Sequence, residues 1–518
     1  MRARRDADID EDIVVRPHPL RVRPLGSQLL SELPNMRETL GVLARLSDQL
    51  LLLVLGQADA ESLARLSCVS HALRVLCYGE DLWRTQCLEV LAPGEAFHYD
   101  AAGWRATYVR RRQGGRSGVS GGGGSGDDGD ADDGRRVASR GCYYSDILYA
   151  PWFCGTAALP SRWSRGGNIE RVSASELSLE EFVSRYERPG VPVILTGLTA
   201  GWAASRWTPA SLRESHGEMA VHVGGTTMQL SNFLDYSDAT TDEQPLYLFD
   251  RAAFSSPRLA SSYELPAYFA ADRDLFASLP AEMRPDHRWL IVGGTRSGSS
   301  WHIDPNASSA WNAVLYGEKK WVLTPPGAPP PGVTASDDQG TVTSPISLYE
   351  WFRVFYDSLA AEIGEAERAA HPPAARPREA TLRAGELLFV PAGWWHAALN
   401  LRPTAAVTQN YAPHSSARRV LEYLAVRDGE LASGIPEALR PRLHLELRRI
   451  VRERWPEELA REPGRGDAAE SAAAGATERA GGAANGAVGG VVRRAAQSAP
   501  PPDGGSDACG GGFLFGFG

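Results

Sequence analysis

The chain has 518 residues, 43% of them apolar, which allows two or three domains and at least one full-sized core. Its formal net charge of −9 excludes a whole-chain nucleic-acid or membrane-surface binder and leaves that task to local basic patches, Arg110–Arg112 and RRIVRER at 448–454. Six cysteines (Cys68, Cys77, Cys87, Cys142, Cys154 and Cys509) form no CxxC pair, which argues for a reducing compartment and against a structural zinc site.

The first residues, MRARRDADIDEDIVV, are charged and contain no apolar h-region, so no secretory signal is expected. The longest apolar run, Leu50 to Leu55, is far short of the ~20 residues of a membrane span. The expectation is a soluble protein of the nucleus and/or cytoplasm without a membrane partner. Residues 1–37 read as a disordered arm. Over 38–92, apolar residues recur at helical spacing, with Asp59 as an N-cap before ESLARLSCVS and DLW opening a further helix after Gly79. The order of a leucine-rich helix, an Asp-Ala break, LARLSCVSHALRVL and DLWR resembles an F-box. That resemblance implies a small all-α domain docking the Skp adaptor of a cullin ubiquitin ligase. Ser47 stands where F-boxes usually carry Pro, and weaker docking is the expected consequence.

Residues 110–138 are Gly, Ser and Asp with almost nothing apolar, the composition of a flexible linker. A large unit over 139–430 follows, then helices over 431–462, and an Ala/Gly/Pro-rich tail over 463–518 that reads as disordered. Within the large unit, Ser178 and Glu181 of SLEEFVSRYERP form a capping box, with Pro189 just past the helix end. Strand-like runs come next: PVILTG, PLYLF, RWLIVGG, WNAVLY, KKWVLT, GELLFVP, WWHAALNL and AAVTQNY, each punctuated by Gly, Pro or Asn. This density of short strands predicts a mainly β core, an antiparallel sandwich or barrel of the jelly-roll class with flanking helices.

Two positions apart on a strand, His302 and Asp304 share a face. An HxD pair alone carries no signal; a second copy, His98-Tyr99-Asp100, lies in a segment without supporting pattern and counts as chance. The first copy is joined by His396 in GELLFVPAGWWHAALNL. Two imidazoles and one carboxylate bound facially leave three cis positions open, as in non-haem Fe(II) oxygenases, whereas closed zinc sites want four ligands, usually with Cys. A lone strand histidine is as readily a hydrogen-bonded structural residue, so His396 has to be tested by its neighbours.

Lys319 and Lys320 are the only lysines in the chain. Read as a hairpin, WNAVLY-GE-KKWVLT puts Asn312, Val314 and Tyr316 on one face, and Lys319, Trp321 and Leu323 on one face of the return strand. An interior Lys supplies a compact charge for a carboxylate where the planar Arg fork is larger. Lys319 fits that interior; Lys320, of opposite parity, is expected to be exposed. HAALNLRPTAAVTQN also reads as a hairpin, symmetric about Arg402, in which His396 faces Thr408.

Together these residues resemble a known family. From NIERVSASELSLEEFVSRYERP through PLYLFD, RWLIVGGTRSGSSWHIDPNASSAWNAVLYGEKKW, ELLFVPAGWWHAALNL and TQNYA, residues 168–412 are similar to the JmjC oxygenases, in the branch of the bifunctional arginine demethylase and lysyl hydroxylase. The resemblance implies a double-stranded β-helix (cupin) that uses Fe(II), 2-oxoglutarate and O2 on lysine or methyl-arginine side chains of proteins. It makes His302, Asp304 and His396 the iron ligands and gives the distal carboxylate of 2-oxoglutarate to Lys319 and Thr408. It lines the same pocket with Tyr247 and Asn312, and puts Asn410 beside the iron. Hydroxylysine and demethylated arginine both remain open as products, as do a purely client-binding cupin on an F-box receptor and an RNA-directed oxygenase.

Overall fold

The computed structural model describes residues 16–89, 97–114, 141–336, 342–344, 346–426 and 430–460. The expected tail at 463–518 and all but the first residues of the expected linker lie outside them. Among the described residues, those up to Pro160 together with His216–Pro245 form one compact unit, and Ser161–Ser215 with Leu246 onward form the other.

The first unit is mostly helical, and the first three F-box-like helices each begin at a side-chain cap. Ser47 accepts from Leu50 N, Asp59 from Ser62 N and Ser70 from Leu73 N, opening helices Asp48–Leu55, Ala60–Leu66 and His71–Cys77. Helix Glu80–Glu89 follows, and its buried Trp83 donates Nε1–H to Cys77 O at 2.8 Å. Two sequence expectations change here. Of the arm expected to be disordered over 1–37, residues 1–15 lie outside the described residues, and the rest contains a short strand, Val22–Arg23, parallel to Tyr143–Tyr144, and 3-10 turns Leu25–Leu30 and Met36–Arg45. Its ordering comes from non-local partners, which composition does not report. The expected linker begins inside a helix, Trp104–Gly114, which carries Arg110–Arg112. Asp242 joins this unit: its carboxylate accepts from Trp104 Nε1 (2.9 Å) and from Tyr236 OH (2.7 Å). The large domain expected over 139–430 is therefore interrupted, with 139–160 and 216–245 belonging to the helical unit.

The second unit carries the capping box of Ser178 and Glu181, and its two main sheets are built on eleven strands. They are β1 (Glu170–Ser173), β2 (Val193–Thr196), β3 (Leu248–Asp250), β4 (Arg288–Gly293), β5 (Gly298–His302) and β6 (Ser309–Tyr316). The series continues with β7 (Glu318–Thr324), β8 (Arg378–Arg383), β9 (Glu386–Val390), β10 (Trp395–Asn400) and β11 (Thr404–Tyr411). A seven-stranded sheet runs β1-β2-β9-β6-β11-β4-β3 and a four-stranded sheet runs β8-β7-β10-β5. Apart from the parallel pair β1–β2, these ladders are antiparallel. Two sheets facing each other in this order form the expected double-stranded β-helix.

Both expected hairpins are corrected by this topology. Strands β6 and β7 do not pair with each other: β6 lies between β9 and β11, and β7 between β8 and β10. The chain crosses from one sheet to the other at Gly317 (φ 90°), where an added Cβ would meet Pro403 O at 2.1 Å. Likewise β10 and β11 belong to different sheets, so His396 pairs with Leu323 and His302 while Thr408 pairs with Asn312 and Trp289. Alternating faces were legible in the sequence; a sheet change at a connection of one residue, as at Gly317, or of three, as at 401–403, looks the same as a hairpin turn.

The parity expectations hold on the inner faces. Val314 of β6, Trp321 and Leu323 of β7, and Ala398 of β10 share one buried cluster, so the sheets close on these residues. The same faces of β7 and β10 therefore aim Lys319 and His396 inward. Outside the four-stranded sheet lies the helix Leu348–Arg368, whose Trp351, Phe352 and Tyr356 are buried. Lys320 is buried there and not exposed as expected. Its ammonium sits 2.7 Å from Glu379 Oε2, donates to Arg165 O at 2.9 Å and lies over the Tyr356 ring.

Candidate active site

The metal-type ligands come from three places that the fold brings together. His302 closes β5, Asp304 follows two residues later in extended conformation, and His396 lies on β10, directly across the ladder from His302. The two imidazole rings are 4.1 Å apart between centroids. Ligand atoms of His302, Asp304 and His396 all lie within 4.8 Å of one another, and among the described residues this is the only group of three or more such side chains so placed. His98 takes no part.

Hydrogen bonds set the tautomers. His302 Nδ1–H donates to Ser300 O (2.7 Å) and His396 Nδ1–H to Trp394 O (3.0 Å), which directs each Nε2 lone pair toward the cluster. Burial, reinforced for His302 by the neighbouring His396, pushes both imidazoles down to about 4, so both are neutral near pH 7. Burial pushes Asp304 up to about 6, opposed by His302 and by a hydrogen bond from Asn410. Asp304 Oδ2 is buried, has no hydrogen-bond donor and lies 3.9 Å from His396 Nε2. Two neutral imidazoles aimed at a desolvated, under-bonded carboxylate oxygen fit a divalent cation, and the N2O donor set suits Fe(II).

The co-substrate expectations fall on the same interior. Lys319 is 1% exposed and donates from Nζ to Tyr247 OH at 2.8 Å. Its ammonium also lies over the rings of Tyr247 and Trp321, 5.5 and 5.7 Å from their centroids. The Trp321 ring is in turn 5.8 Å from that of His396, which links the lysine to the metal-type cluster. Burial pulls Lys319 down to about 7. Asn312 and Thr408 are cross-strand partners of β6 and β11. Thr408 Oγ1 donates to Trp311 O at 2.8 Å, while Asn312 Oδ1 is buried without a partner. Asn410 Nδ2 donates to Ser308 Oγ at 2.8 Å as well as supporting Asp304.

Two residues acquire a place here that the sequence did not assign. Trp321 forms the wall between His396 and Lys319; its parity was legible, its neighbours were not. Asn400 lies across the ladder from Lys319, fully buried, with Nδ2 donating to Ser297 Oγ at 2.9 Å and Oδ1 lacking a donor. Only the true β7–β10 register reveals that position, and the expected hairpin hid it.

Comparison with known proteins agrees with this geometry. Residues 178–417 match the cupin-like domain family, and residues 45–89 match the F-box-like family. The chain is 39% identical over 440 residues to Arginine-specific demethylase JMJ22 of Arabidopsis thaliana, covering 84% of this chain and 81% of that protein. It is 37% identical over 256 residues to Bifunctional arginine demethylase and lysyl-hydroxylase psr-1 of Caenorhabditis elegans, covering 47% of this chain and 61% of the relative. It is also 27% identical over 277 residues to human 2-oxoglutarate and iron-dependent oxygenase JMJD4, covering 47% and 62%. A preset His-Asp-His cluster, an interior lysine and these relatives converge: the chain belongs to the JmjC family of cupin-like 2-oxoglutarate- and iron-dependent oxygenases, with an F-box-like domain ahead of its catalytic unit.

Proposed function

We propose that this oxygenase acts on arginine or lysine side chains of proteins, removing an N-methyl group from arginine or hydroxylating lysine. The observation that carries the reading is the inward-facing set of His302, Asp304 and His396, connected through Trp321 to the buried Lys319. The arginine arm is favoured because a relative 39% identical over 84% of this chain is named an arginine-specific demethylase.

His302, Asp304 and His396 would hold Fe(II), and the metal with 2-oxoglutarate supplies the activation of O2 for C–H oxidation, with succinate and CO2 as co-products. The chain's own work is positioning. Lys319 and Tyr247 offer an ammonium and a phenol to the distal carboxylate of 2-oxoglutarate, and Thr408 trades its bond to Trp311 O for one to that carboxylate. Asn312 lines the pocket with an under-used amide. Asn410 steadies Asp304, and Trp321 walls the space between the two ends from water. Oxidation at an N-methyl carbon yields a hemiaminal whose C–N bond breaks to give formaldehyde and the demethylated nitrogen, whereas oxidation at a lysine side-chain carbon stops at the alcohol.

For the F-box-like unit we propose docking to a Skp adaptor. Leu50, Leu53, Val54 and Val69 are exposed apolar residues within the matched region, and Ser47 has replaced the usual proline with a working helix cap. The proposed compartment, nucleus and/or cytoplasm, is supported by the five described cysteines, all unbridged. No helix among the described residues is long and apolar enough to cross a membrane.

The test is mass spectrometry of methyl-arginine and lysine peptides from histone, ribosomal and splicing-factor sequences, incubated with the full chain, Fe(II), 2-oxoglutarate and O2. Loss of a methyl group from arginine is the expected product. Gain of one oxygen on lysine would move the reading to hydroxylation, and neither change on any peptide would overturn it.

A further inference from the structure

The loop after the HxD pair is held by a segment far along the chain. Asn306 and Ala307 both adopt positive φ, 59° and 51°. Consecutive left-handed residues with a Cβ are costly, and Asn tolerates the conformation better than most. Asn306 is buried, and its amide pairs reciprocally with the backbone of Ser433. Asn306 Nδ2 donates to Ser433 O at 3.0 Å, and Ser433 N–H donates to Asn306 Oδ1 at 2.9 Å. The anchor is itself pinned: Gly434 takes φ 72°, accepts from Asp286 N at 2.8 Å, and has no room for a Cβ, which would lie 2.8 Å from that same nitrogen. Ala307 packs against the core formed with Val420, Leu421, Ile435 and Leu443.

From the opposite side, Ser308 Oγ donates to Pro305 O and accepts from Asn410 Nδ2, both at 2.8 Å, and Asn410 also bonds Asp304. The stretch from Asp304 to Ser308 is thus gripped by β11 and by Ser433, which lies beyond the cupin-like region ending at residue 417. Asp304 itself sits past the end of β5, outside the strand that places His302. A ligand outside regular structure needs its geometry supplied by other contacts.

We propose that Asn306 is a positioning residue for the Asp304 ligand. Its two-way amide bond to the Ser433 backbone fixes the left-handed turn that aims the carboxylate at His302 and His396, so metal affinity depends on a segment outside the cupin-like region. The inference rests on the metal-centre reading of these three residues.

The experiment titrates the full chain with Co(II) alone, read by its visible absorption, well below the melting temperature of every variant. Asn306→Gly accepts positive φ but removes the amide, and it should weaken Co(II) binding roughly tenfold or more. Asn306→Ala adds backbone strain and should be weaker still. Ser433→Ala keeps both backbone bonds and should bind as the wild type does. Leu359→Ala, a buried truncation in the helix Leu348–Arg368 away from Trp351, the residue of that helix that packs on Trp301 of β5, should lower the melting temperature without changing Co(II) affinity, which separates a positioning role from general destabilisation. Wild-type affinity in Asn306→Gly overturns the proposal, as does an equal loss in Leu359→Ala. A wild-type chain that does not bind Co(II) overturns the metal-centre reading first and this proposal with it.

Discussion

The two faces of strand β7 each bury a lysine, Lys319 at 1% and Lys320 at 0% exposed. Outward, Lys320 meets Glu379 at 2.7 Å, and Tyr356 OH donates to the same carboxylate at 2.7 Å. Burial pulls Lys320 down while Glu379 opposes the fall. Inward, Lys319 has a neutral phenol, Tyr247, and two rings; among the described residues no carboxylate forms an ion pair with it, and burial alone pulls it down to about 7. An ammonium buried with its counter-ion is part of the architecture. One buried without a counter-ion, linked through Trp321 to metal-type ligands, is the position we propose for the co-substrate's carboxylate. Adjacent residues of the same type thus serve opposite ends, and the difference is whether the chain supplies the negative charge.

The contrast can be broken at the inner face first. Changing His302 or Asp304 to Ala should abolish conversion of 2-oxoglutarate to succinate while leaving the melting temperature undiminished; His98→Ala should match wild type. Turnover surviving in either cluster variant sinks the assignment. Next in size is the outer face. Lys320→Ala strands a buried Glu379 and should cost about 3–5 kcal/mol, read by urea unfolding, with the KM for 2-oxoglutarate unchanged. Lys320→Arg, which the expected exposure would have made neutral, should cost about 1–3 kcal/mol through overpacking at a fully buried position. A shifted KM with intact stability would reverse the roles given to the two faces.

Lys319→Ala should raise the KM for 2-oxoglutarate roughly ten- to a hundredfold, the worth of one charge-assisted bond in a dry pocket. Stability should hold or improve, because an unpaired buried charge is removed. Lys319→Arg keeps the charge but brings a planar fork, and should fail nearly as badly. If it behaves as wild type, the pocket has no need of lysine. The smallest effect is in pH. The free-enzyme ammonium is held near 7, and the co-substrate carboxylate pairs only with the charged form. Affinity is therefore full below that value and lost above it, and the KM should climb by about tenfold per unit at most as pH rises past 7. The same scan on Lys319→Ala should lack this climb.

Strand periodicity, cap chemistry and ligand type were all local properties, and they were readable. Alternation put Lys319, Trp321 and Leu323 on one face; Ser178 with Glu181, and Asp59, announced helix starts; two imidazoles and a carboxylate announced an Fe(II)-type donor set. Partnerships were not readable. The connection at Gly317 looked like a hairpin turn and is a crossing between sheets, so Asn400 came to face Lys319 and Thr408 came to face Asn312. The burial of Lys320 depends on a helix that starts at Leu348, on Glu379 and on the carbonyl of Arg165, all far away in the chain. The ordering of Val22–Arg23 depends on Tyr143–Tyr144, and the turn at Asn306 on Ser433. By itself the sequence determined which residues share a face and what chemistry they carry, because both follow from backbone geometry within a few residues. Only the tertiary structure decided what covers each face, because the atoms that desolvate a side chain, or answer its charge, come from segments that local periodicity cannot see.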